Sequence, residues 1–396
     1  MRKRLYLSLI LCAIVGSILC GCSSNGEMHE KTMVILDTDM GHYNDDTLAL
    51  SLLLSEETKG NIEVLGITLV GGNSFIDASY EAEYGVVNES YIETTEFLKS
   101  IGREDIPVLK GSDLPFKYGL DNVDATQKTY YFYNEEGTEK PRNYLKFGSG
   151  YGCITSLNNL KGGHLNDCED ASDFLIEQAE KYRNNVVIIA VGPTTNIARA
   201  IEKDPSFAQN VKAIYYMGGA FGDVYSDVDS SGKYVETIGG ANTTPYSEYN
   251  VFYDAEAFGK CISANFPKQV ITPGHVNVLI DTQTVDELKA RVGEKSTIIA
   301  DKWLEYYDMY IQDYPYWDPL TAMAFLKQDS ITSAEETYIL VNSDRADEEY
   351  GRTEKISDEQ YLELTDDEKA NAGKVMIVDR MDGFWDYVAD LFLDTK

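Results

Sequence analysis

The sequence predicts an α/β fold with a single domain, in which helices flank an open, mostly parallel sheet. Three apolar runs rich in β-branched residues, at 33–36, 62–70 and 186–191, each end at a polar or glycine-rich turn. Helical patterns follow the first and third of these turns, and strands that alternate with helices are typical of parallel sheets. Apolar residues make up 43% of the chain, which is enough for a sizeable core.

The rest of the chain continues this pattern and adds two long polar segments. Two further strands are expected at 211–217 and 269–272, and two helical or mixed segments at 173–182 and 375–392. Segments 112–147 and 221–247 break the rhythm and are predicted to be long surface loops. Loops of such length usually serve as lids or binding loops, and an oligomer contact is the competing interpretation.

The N-terminal segment has the pattern of an export signal. Basic residues at 2–4 precede an apolar run at 5–19. The residues from Leu19 to Cys22 resemble a bacterial lipobox with Cys22 as the modified residue. An ordinary signal peptide cut nearby is the alternative. The predicted organisation is a lipoprotein signal peptide at 1–22, a polar tether at 23–32 and the folded domain at 33–396. We therefore expect an exported protein anchored to a bacterial cell membrane by a lipid on Cys22.

Composition excludes several classes of function. The chain has 34 basic and 66 acidic residues, a net charge of −32, which repels phosphate backbones and argues against a nucleic-acid partner. The cysteines beyond the leader are three and widely spaced, so they form no disulfide framework. The sequence has no G-x-S-x-G motif, so serine nucleophile chemistry finds no support.

Four aspartates crowd the turn between the first strand and the first helix: Asp37, Asp39, Asp45 and Asp46. Such crowding costs electrostatic repulsion and desolvation unless protons or a cation neutralise the carboxylates. Ca²⁺ suits the site because it accepts many oxygen ligands in flexible geometry. Acids that favour a helix N-terminus explain one or two of the four, but not all of them.

The segment 37–46 resembles the opening aspartate signature of the nucleoside hydrolase family. Further strings follow in the order of that family: Gly72-Asn73, Gly192-Pro193-Thr194-Thr195-Asn196, Met217-Gly218-Gly219, Asn242, Glu248-Tyr249-Asn250 and Trp317-Asp318-Pro319-Leu320. The match runs from Met33 nearly to the C-terminus. The resemblance implies the nucleoside hydrolase fold and an enzyme that cleaves the N-glycosidic bond of ribonucleosides, releasing ribose and the free base.

The resemblance also implies a site. Calcium would be held by Asp39, Asp46, the carbonyl of Thr195 and Asp318. Asp39 would be the general base that activates a calcium-bound water for attack on the anomeric carbon. The substrate would be contacted by Asp45, Asn73, Met217, Asn242, Glu248, Asn250, Trp317 and Asp318. Carboxylate and amide oxygens around the sugar would stabilise the positive charge that develops as the glycosidic bond breaks.

Several of these residues have simpler interpretations. Asn242 and Glu248 lie in a polar stretch and could be merely solvated, whereas Met217 could be plain core at a strand end. Asn73 follows two glycines and could be only a turn residue. The first turn is also longer than in many members of the family, because residues 42–44 stand where those members have a single residue. Which role belongs to Asp45 and which to Asp46 therefore stays open.

Trp317 is the most informative departure. The inosine-uridine branch of the family carries a histidine at this position as a candidate acid for the leaving base, and a tryptophan cannot donate that proton. Purine-preferring members resemble this chain and stack an aromatic ring on the base, which favours purine ribonucleosides here. Buried packing near the metal is the simpler interpretation of Trp317.

Two rival functions share much of this pattern. An exported lipoprotein could capture nucleosides or ribose without catalysis, although a pure binder needs no base beside a metal. A related glycosidase could use the same site for another ribosyl conjugate or a pyrimidine nucleoside. A homo-oligomer is compatible with all three.

Overall fold

The computed structural model describes residues 31–41, 45–72, 86–117, 167–222, 224–228, 234–240, 246–309, 314–344, 347 and 349–393. The described residues from Lys31 onward form one compact unit. The predicted signal peptide, nearly all of the tether, and the segment 118–147 of the first long loop lie outside these ranges. Among the described residues, no helix is both long enough and apolar enough to cross a membrane.

Nine strands form the central sheet, in the order β12-β11-β13-β8-β5-β4-β1-β2-β3. The sheet strands are β1 Thr32–Thr38, β2 Ile62–Leu69, β3 Val108–Lys110, β4 Val186–Ala190, β5 Ala213–Met217, β8 Gln269–Thr272, β11 Ile331–Val341, β12 Thr353–Ile356 and β13 Ala372–Met381. Pairing is parallel from β13 through to β3, and β11 runs antiparallel to both of its neighbours. The prediction of an open, mostly parallel sheet is confirmed.

Helices cover both faces of this sheet. They are α1 Asp45–Thr58, α2 Val86–Ser100, α3 Asp170–Lys181, α4 Thr195–Lys203, α5 Phe207–Asn210, α6 Tyr249–Tyr253, α7 Ala255–Ser263, α8 Thr282–Val292, α9 Ile298–Met309, α10 Asp318–Leu326, α11 Asp358–Glu363, α12 Asp366–Lys369 and α13 Phe384–Phe392. Two 3₁₀ turns, Gly293–Lys295 and Gln328–Ser330, complete the helical elements of the described residues.

The core has two apolar clusters, one on each face of the sheet, because successive side chains of a strand point to opposite faces. In β1, Val34 and Leu36 belong to the first core cluster with the leucines of α1, whereas Ile35 belongs to the second core cluster with Ile188 of β4. A central parallel strand is buried on both faces, which is why β1 is a nearly continuous apolar run. Helix α1 is buried from Asp46 to Ser55 and packs against α10.

One sequence-based expectation needs correction. The segment 221–247 contains an antiparallel hairpin, β6 Val224–Val228 and β7 Tyr234–Ile238, rather than a continuous loop. Each strand has two adjacent polar residues, Ser226-Asp227 and Glu236-Thr237, so neither shows the alternation of a strand, and the Gly, Ser and Asp residues of 229–233 favour a loop. The segment 375–392, expected to be helical or mixed, is mixed, since it contains the end of β13 and the helix α13. A second small pair, β9 Val278–Ile280 and β10 Tyr314–Tyr316, was not expected.

The sheet order places a crevice beside β1. From β1 the chain pairs first with β2 on one side and later with β4 on the other. The loops that follow β1, β2 and β4 therefore separate at the carboxyl edge of the sheet, and such a switch point is the usual ligand site of an open α/β sheet.

Candidate functional site

Asp39 lies at the centre of this crevice, directly after the last residue of β1, and its side chain is buried. Loops from both neighbouring strands approach its carboxylate at glycines. A Cβ added at Gly72 would lie 2.8 Å from Asp39 Oδ2, and one added at Gly192 would lie 2.7 Å from Asp39 Oδ1. The carboxylate therefore lies between two backbone segments, and a larger residue in place of either glycine would displace it.

Three further aspartates converge beside Asp39. Asp45 and Asp46 open α1, and Asp318 opens α10, which packs against it. Oxygen atoms of these three carboxylates lie within 4.8 Å of one another. The hydroxyl of Thr38, the last residue of β1, donates a hydrogen bond to Asp46 Oδ1 and links this group to the strand. Residues far apart in sequence therefore build one cluster of oxygen ligands.

The cluster is under electrostatic stress. Burial, followed by the charges of Asp46 and Asp45, raises the pKa of Asp39 well above its ordinary value. Burial and the charges of Asp45, Asp46 and Asp39 do the same for the pKa of Asp318. Burial raises the pKa of Asp45 to about 8, with repulsion from Asp46 as the second cause, and the pKa of Asp46 to about 6.

A cation would relieve this stress, since it would stabilise the deprotonated carboxylates that burial disfavours. The donors in reach are all hard oxygens, without a cysteine or histidine in the described group, and this set suits Ca²⁺ better than a softer metal. The described residues therefore fit a calcium site on the chemistry of their donor set.

Asp37 differs from its acidic neighbours because it serves the framework. It is fully buried, and its Oδ1 accepts hydrogen bonds from Thr68 Oγ1 at 2.5 Å and from Asn196 Nδ2 at 2.9 Å. Asn196 also donates to the carbonyl of Leu69 at 3.0 Å. Asp37 thereby ties together β1, β2 and α4, the three elements whose ends meet at the site.

Thr195 is the first residue of α4 and is fully buried. Its hydroxyl donates a hydrogen bond of 2.6 Å to Asp254 Oδ2. Asp254 also accepts from the backbone N–H of Phe116 at 2.6 Å and of Ala257 at 3.1 Å. Burial raises the pKa of Asp254 to about 6, with the charge of Glu256 as the second cause.

Glu248 is buried, so the interpretation of a solvated loop residue is wrong. It caps α6, accepting hydrogen bonds from the backbone N–H groups of Asn250 and Val251 at 2.9 and 3.2 Å. It also accepts from the N–H of Gly219 at 3.2 Å. Burial nevertheless raises the pKa of Glu248 to about 7. The charge of Glu248 also contributes to the raised pKa of Asp39.

Asn250 and Met217 contact each other. Asn250 Nδ2 donates to the carbonyl of Val191 at 2.8 Å and to Met217 Sδ at 3.2 Å. Met217 ends β5 and packs within the first core cluster. Tyr249 precedes Asn250 in α6, and its hydroxyl donates to the carbonyl of Gly72 at 2.5 Å. Helix α6 therefore also fixes the loop that passes Asp39.

Trp317 immediately precedes Asp318 and is half-buried against the first core cluster. Its indole N–H donates a hydrogen bond of 2.7 Å to the carbonyl of Gly274, in the loop after β8. Its backbone N–H donates to Asp45 Oδ2 at 3.4 Å. The indole ring is therefore held at one edge, and the backbone of Trp317 contacts the acidic cluster.

The structure brings together Asp39, Asp45, Asp46 and Asp318, with Glu248 close enough to influence Asp39. Asn73 and Asn242, predicted to contact the sugar, lie outside the described residues, as do residues 42–44. Phe116, in the first long loop, is buried in the second core cluster.

Sequence reasoning missed Asp254, Thr38 and Gly192 as functional supports. Asp254 precedes a helical pattern and could have been recognised as a helix N-cap, but its bond to Thr195 spans 59 residues. The glycine of a turn is visible in the sequence, whereas its contact with Asp39 requires the sheet order.

Comparisons with known proteins agree with this geometry. The family model described as inosine-uridine preferring nucleoside hydrolase matches residues 34–386. Uridine nucleosidase 1 of Arabidopsis thaliana is 28% identical over 325 residues, which cover 79% of each chain.

Solved structures show the same fold. A plant nucleoside hydrolase superposes with a TM-score of 0.60 at 20% identity, covering 92% of this chain and 98% of the other. A purine-preferring ribonucleoside hydrolase from Gardnerella vaginalis has a TM-score of 0.56 at 20% identity, with coverage of 91% and 98%. Together with the match over 34–386, these findings identify the chain as an enzyme, a nucleoside hydrolase that belongs to the inosine-uridine preferring nucleoside hydrolase family.

Proposed function

We propose that this nucleoside hydrolase is a calcium-dependent enzyme with a preference for purine ribonucleosides, which it cleaves to ribose and the free base with Asp39 as the general base. The observation that carries the proposal is the buried Asp39 carboxylate, held between two glycine turns beside three converging aspartates. Burial and the neighbouring carboxylates raise the pKa of Asp39, which makes its carboxylate a stronger base than an exposed aspartate.

The calcium ion would be held by Asp39, Asp46, the carbonyl of Thr195 and Asp318. When bound, Ca²⁺ supplies electrostatic stabilisation of negative charge on a water oxygen and on the hydroxyls of the sugar. Asp45 is the fourth acid of the cluster, and its position beside Asp46 and Asp318 supports a role with the same ion or with a hydroxyl that contacts it.

The protein's own residues would perform the remaining steps. Asp39 accepts the proton of the attacking water, and the two glycine turns prevent its carboxylate from turning away. Asn73, Asn242, Glu248 and Asn250 would position the sugar, with Met217 beneath it. Carboxylate and amide oxygens facing a ribosyl group stabilise the oxocarbenium character of the transition state, because they are fixed before the reaction begins.

The preference for purines rests on Trp317. Its indole N–H is already engaged by the Gly274 carbonyl, so the ring has no donor left for the leaving base. A ring fixed in this way can offer its face to a nucleobase, and the larger purine gains more from such stacking than a pyrimidine. Solvent or an ordered water would then supply the proton that the departing base needs.

A substrate panel tests this proposal. We expect ribose release from inosine and guanosine in the presence of Ca²⁺, with a higher kcat/KM than for uridine or cytidine, measured by a reducing-sugar assay. Substitution Trp317→Ala should lower kcat/KM for inosine by about 10- to 100-fold, as a base–aromatic stack worth roughly 1–3 kcal/mol predicts. The value for uridine should fall much less.

The variant Trp317→Phe serves as the matched comparison, since it keeps an aromatic face and loses the bond to Gly274. Its kcat/KM for inosine should lie between that of the native protein and that of Trp317→Ala. A higher kcat/KM for uridine than for inosine in the native protein would refute the purine preference. The similarity to a plant uridine nucleosidase makes uridine the substrate to compare. Absence of ribose release from every nucleoside would instead support a binding protein.

We further propose that the enzyme is exported and anchored to the outer face of a bacterial cell membrane by a lipid on Cys22. The basic residues at 2–4, the apolar run at 5–19 and the cysteine that ends it support this location. Substitution Cys22→Ser should move the protein from the membrane fraction of a bacterial host to the soluble fraction. Unchanged membrane association of this variant would argue against the lipid.

A further inference from the structure

Asp254 makes more contacts than a helix cap requires. It precedes α7, and its Oδ1 accepts from the N–H of Ala257 at 3.1 Å, which satisfies the helix terminus. Its Oδ2 accepts two shorter bonds of 2.6 Å from outside the helix, from the hydroxyl of Thr195 and the N–H of Phe116. The second oxygen is therefore used to hold other parts of the chain.

Thr195 is the residue whose position these contacts determine. It follows β4 and begins α4, and both its side chain and that of Asp254 are fully buried. A threonine side chain branches at Cβ and has few χ1 rotamers, so the hydrogen bond from its hydroxyl ties the Thr195 residue to the start of α7. Helix α7 contacts the same turn again, since the Cys261 thiol lies 3.8 Å from the Thr194 carbonyl.

We propose that Asp254 is a positioning residue, which acts through the Thr195 hydroxyl to hold the Thr195 carbonyl ready for the calcium ion. This inference rests on the proposed calcium site. Asp254 would thereby raise the affinity for calcium although it lies outside the acidic cluster. A ligand that is ordered before binding loses less conformational entropy when the ion binds. Asp254 itself touches neither the ion nor the substrate.

A purely structural role makes a different prediction. If Asp254 only caps α7 and anchors Phe116, its loss would lower stability to the same extent with and without calcium, and the affinity for calcium would stay unchanged. The two roles are therefore separated by a binding measurement on folded protein. Substitution Thr195→Val is the decisive change, because valine matches the shape of threonine, keeps the carbonyl and removes only the bond to Asp254.

The experiment measures the dissociation constant of Ca²⁺ for metal-free protein by isothermal titration calorimetry, and the rise in Tm that saturating Ca²⁺ produces. We expect Thr195→Val and Asp254→Asn each to weaken calcium binding by about tenfold or more, and the double variant to be no weaker than the worse single variant. Thr195→Ser keeps the hydroxyl and should bind within about threefold of the native protein.

Asp281 provides the matched control. It caps α8 with similar chemistry, accepting from the backbone N–H of Thr284 at 2.7 Å and from its hydroxyl at 2.5 Å, but both donors belong to its own helix. Asp281→Asn should leave calcium affinity unchanged. Native affinity in Thr195→Val overturns the inference, and so does an equal loss in Thr195→Val and Thr195→Ser.

These outcomes are distinct from a failure of the proposed function. A native protein that binds no calcium would refute the metal site itself, whereas a native protein that binds calcium and releases ribose leaves only the role of Asp254 in question. If Asp254→Asn fails to fold, the pair Thr195→Val and Thr195→Ser still decides the outcome.

Discussion

Substitution Asp39→Asn should lower kcat for nucleoside hydrolysis by at least about a thousandfold while making the metal-free protein more stable to heat. General base catalysis and stabilisation by a metal each contribute about 10²–10⁴-fold, and Asp39 is proposed to serve both. Asparagine keeps the shape that fits between Gly72 and Gly192, so the loss reports chemistry rather than packing. Turnover is measured as ribose release under saturating substrate and Ca²⁺.

The gain in stability follows from the electrostatics of the site. The pKa of Asp39 is raised in the folded protein, so at neutral pH its buried carboxylate costs free energy of folding that the unfolded chain does not pay. A neutral side chain of the same shape removes that cost. Tm of the protein in a chelator should therefore rise in Asp39→Asn, as measured by calorimetry.

Asp105→Asn is the control for this experiment. Asp105 is an exposed carboxylate paired with Arg103 near the start of β3, and its substitution should change neither turnover nor the Tm in chelator by a comparable amount. Asp39→Ala should lose turnover to a similar extent. A folded Asp39→Asn protein with a near-native rate would remove Asp39 from its role as the general base.

Removal of calcium should abolish activity and should also expose the repulsion among the buried carboxylates as a fall in Tm with rising pH. The pKa values of Asp46, Glu248 and Asp45 are raised to about 6, 7 and 8, respectively. The stability from keeping these groups neutral is full below their unfolded values, near 4, and is lost as pH rises through the folded values. In chelator, Tm should therefore decline between about pH 5 and pH 8.

Calcium should reverse this trend, because at the proposed site it would bind the deprotonated carboxylates. Tm at pH 8 should rise strongly on addition of Ca²⁺, affinity for the ion should increase with pH, and activity should fall at least about a hundredfold in chelator. The measurements are thermal unfolding between pH 5 and pH 8.5 with and without the ion, and ribose release under the same conditions.

General surface repulsion is a competing cause, since the chain carries a net charge of −32. The double variant Asp45→Asn/Asp318→Asn separates the two, because it removes two carboxylates of the acidic cluster while it changes the overall charge only slightly. It should flatten the decline of Tm in chelator. A metal-free native protein whose Tm is constant or rises from pH 5 to pH 8 would contradict the expectation.

Much of the fold could be predicted from the sequence because the site elements are local and strongly patterned. The apolar runs at 62–70 and 186–191 correspond to β2 and β4 within one residue at each end. The hairpin of β6 and β7 could not be predicted in the same way. Its strands have five residues each, and the adjacent polar residues Ser226-Asp227 and Glu236-Thr237 interrupt both the apolar run and the alternation by which a strand is recognised.

The residues of the site also divide into those that the sequence could predict and those that it could not. Asp39, Asp46 and Asp318 could be named from the sequence because they occupy motifs in the order of a known family, and the shared order of a motif needs no coordinates. The burial of Glu248 could not be foreseen, because an isolated acid in a polar stretch carries no signal of the backbone donors that surround it. Its companions Asn73 and Asn242 stay predictions.

By itself, the sequence determined the α/β class, the family and the acidic chemistry, because composition, periodicity and motif order are properties of neighbouring residues. Only the tertiary structure decided which residues support that chemistry: the glycine turns around Asp39, the Gly274 carbonyl that holds Trp317, and the bond from Thr195 to Asp254. Each of these contacts joins loops at the carboxyl edge of the sheet. Strand order sets which loops meet there, and strand order is fixed by packing over the whole chain rather than by any local pattern.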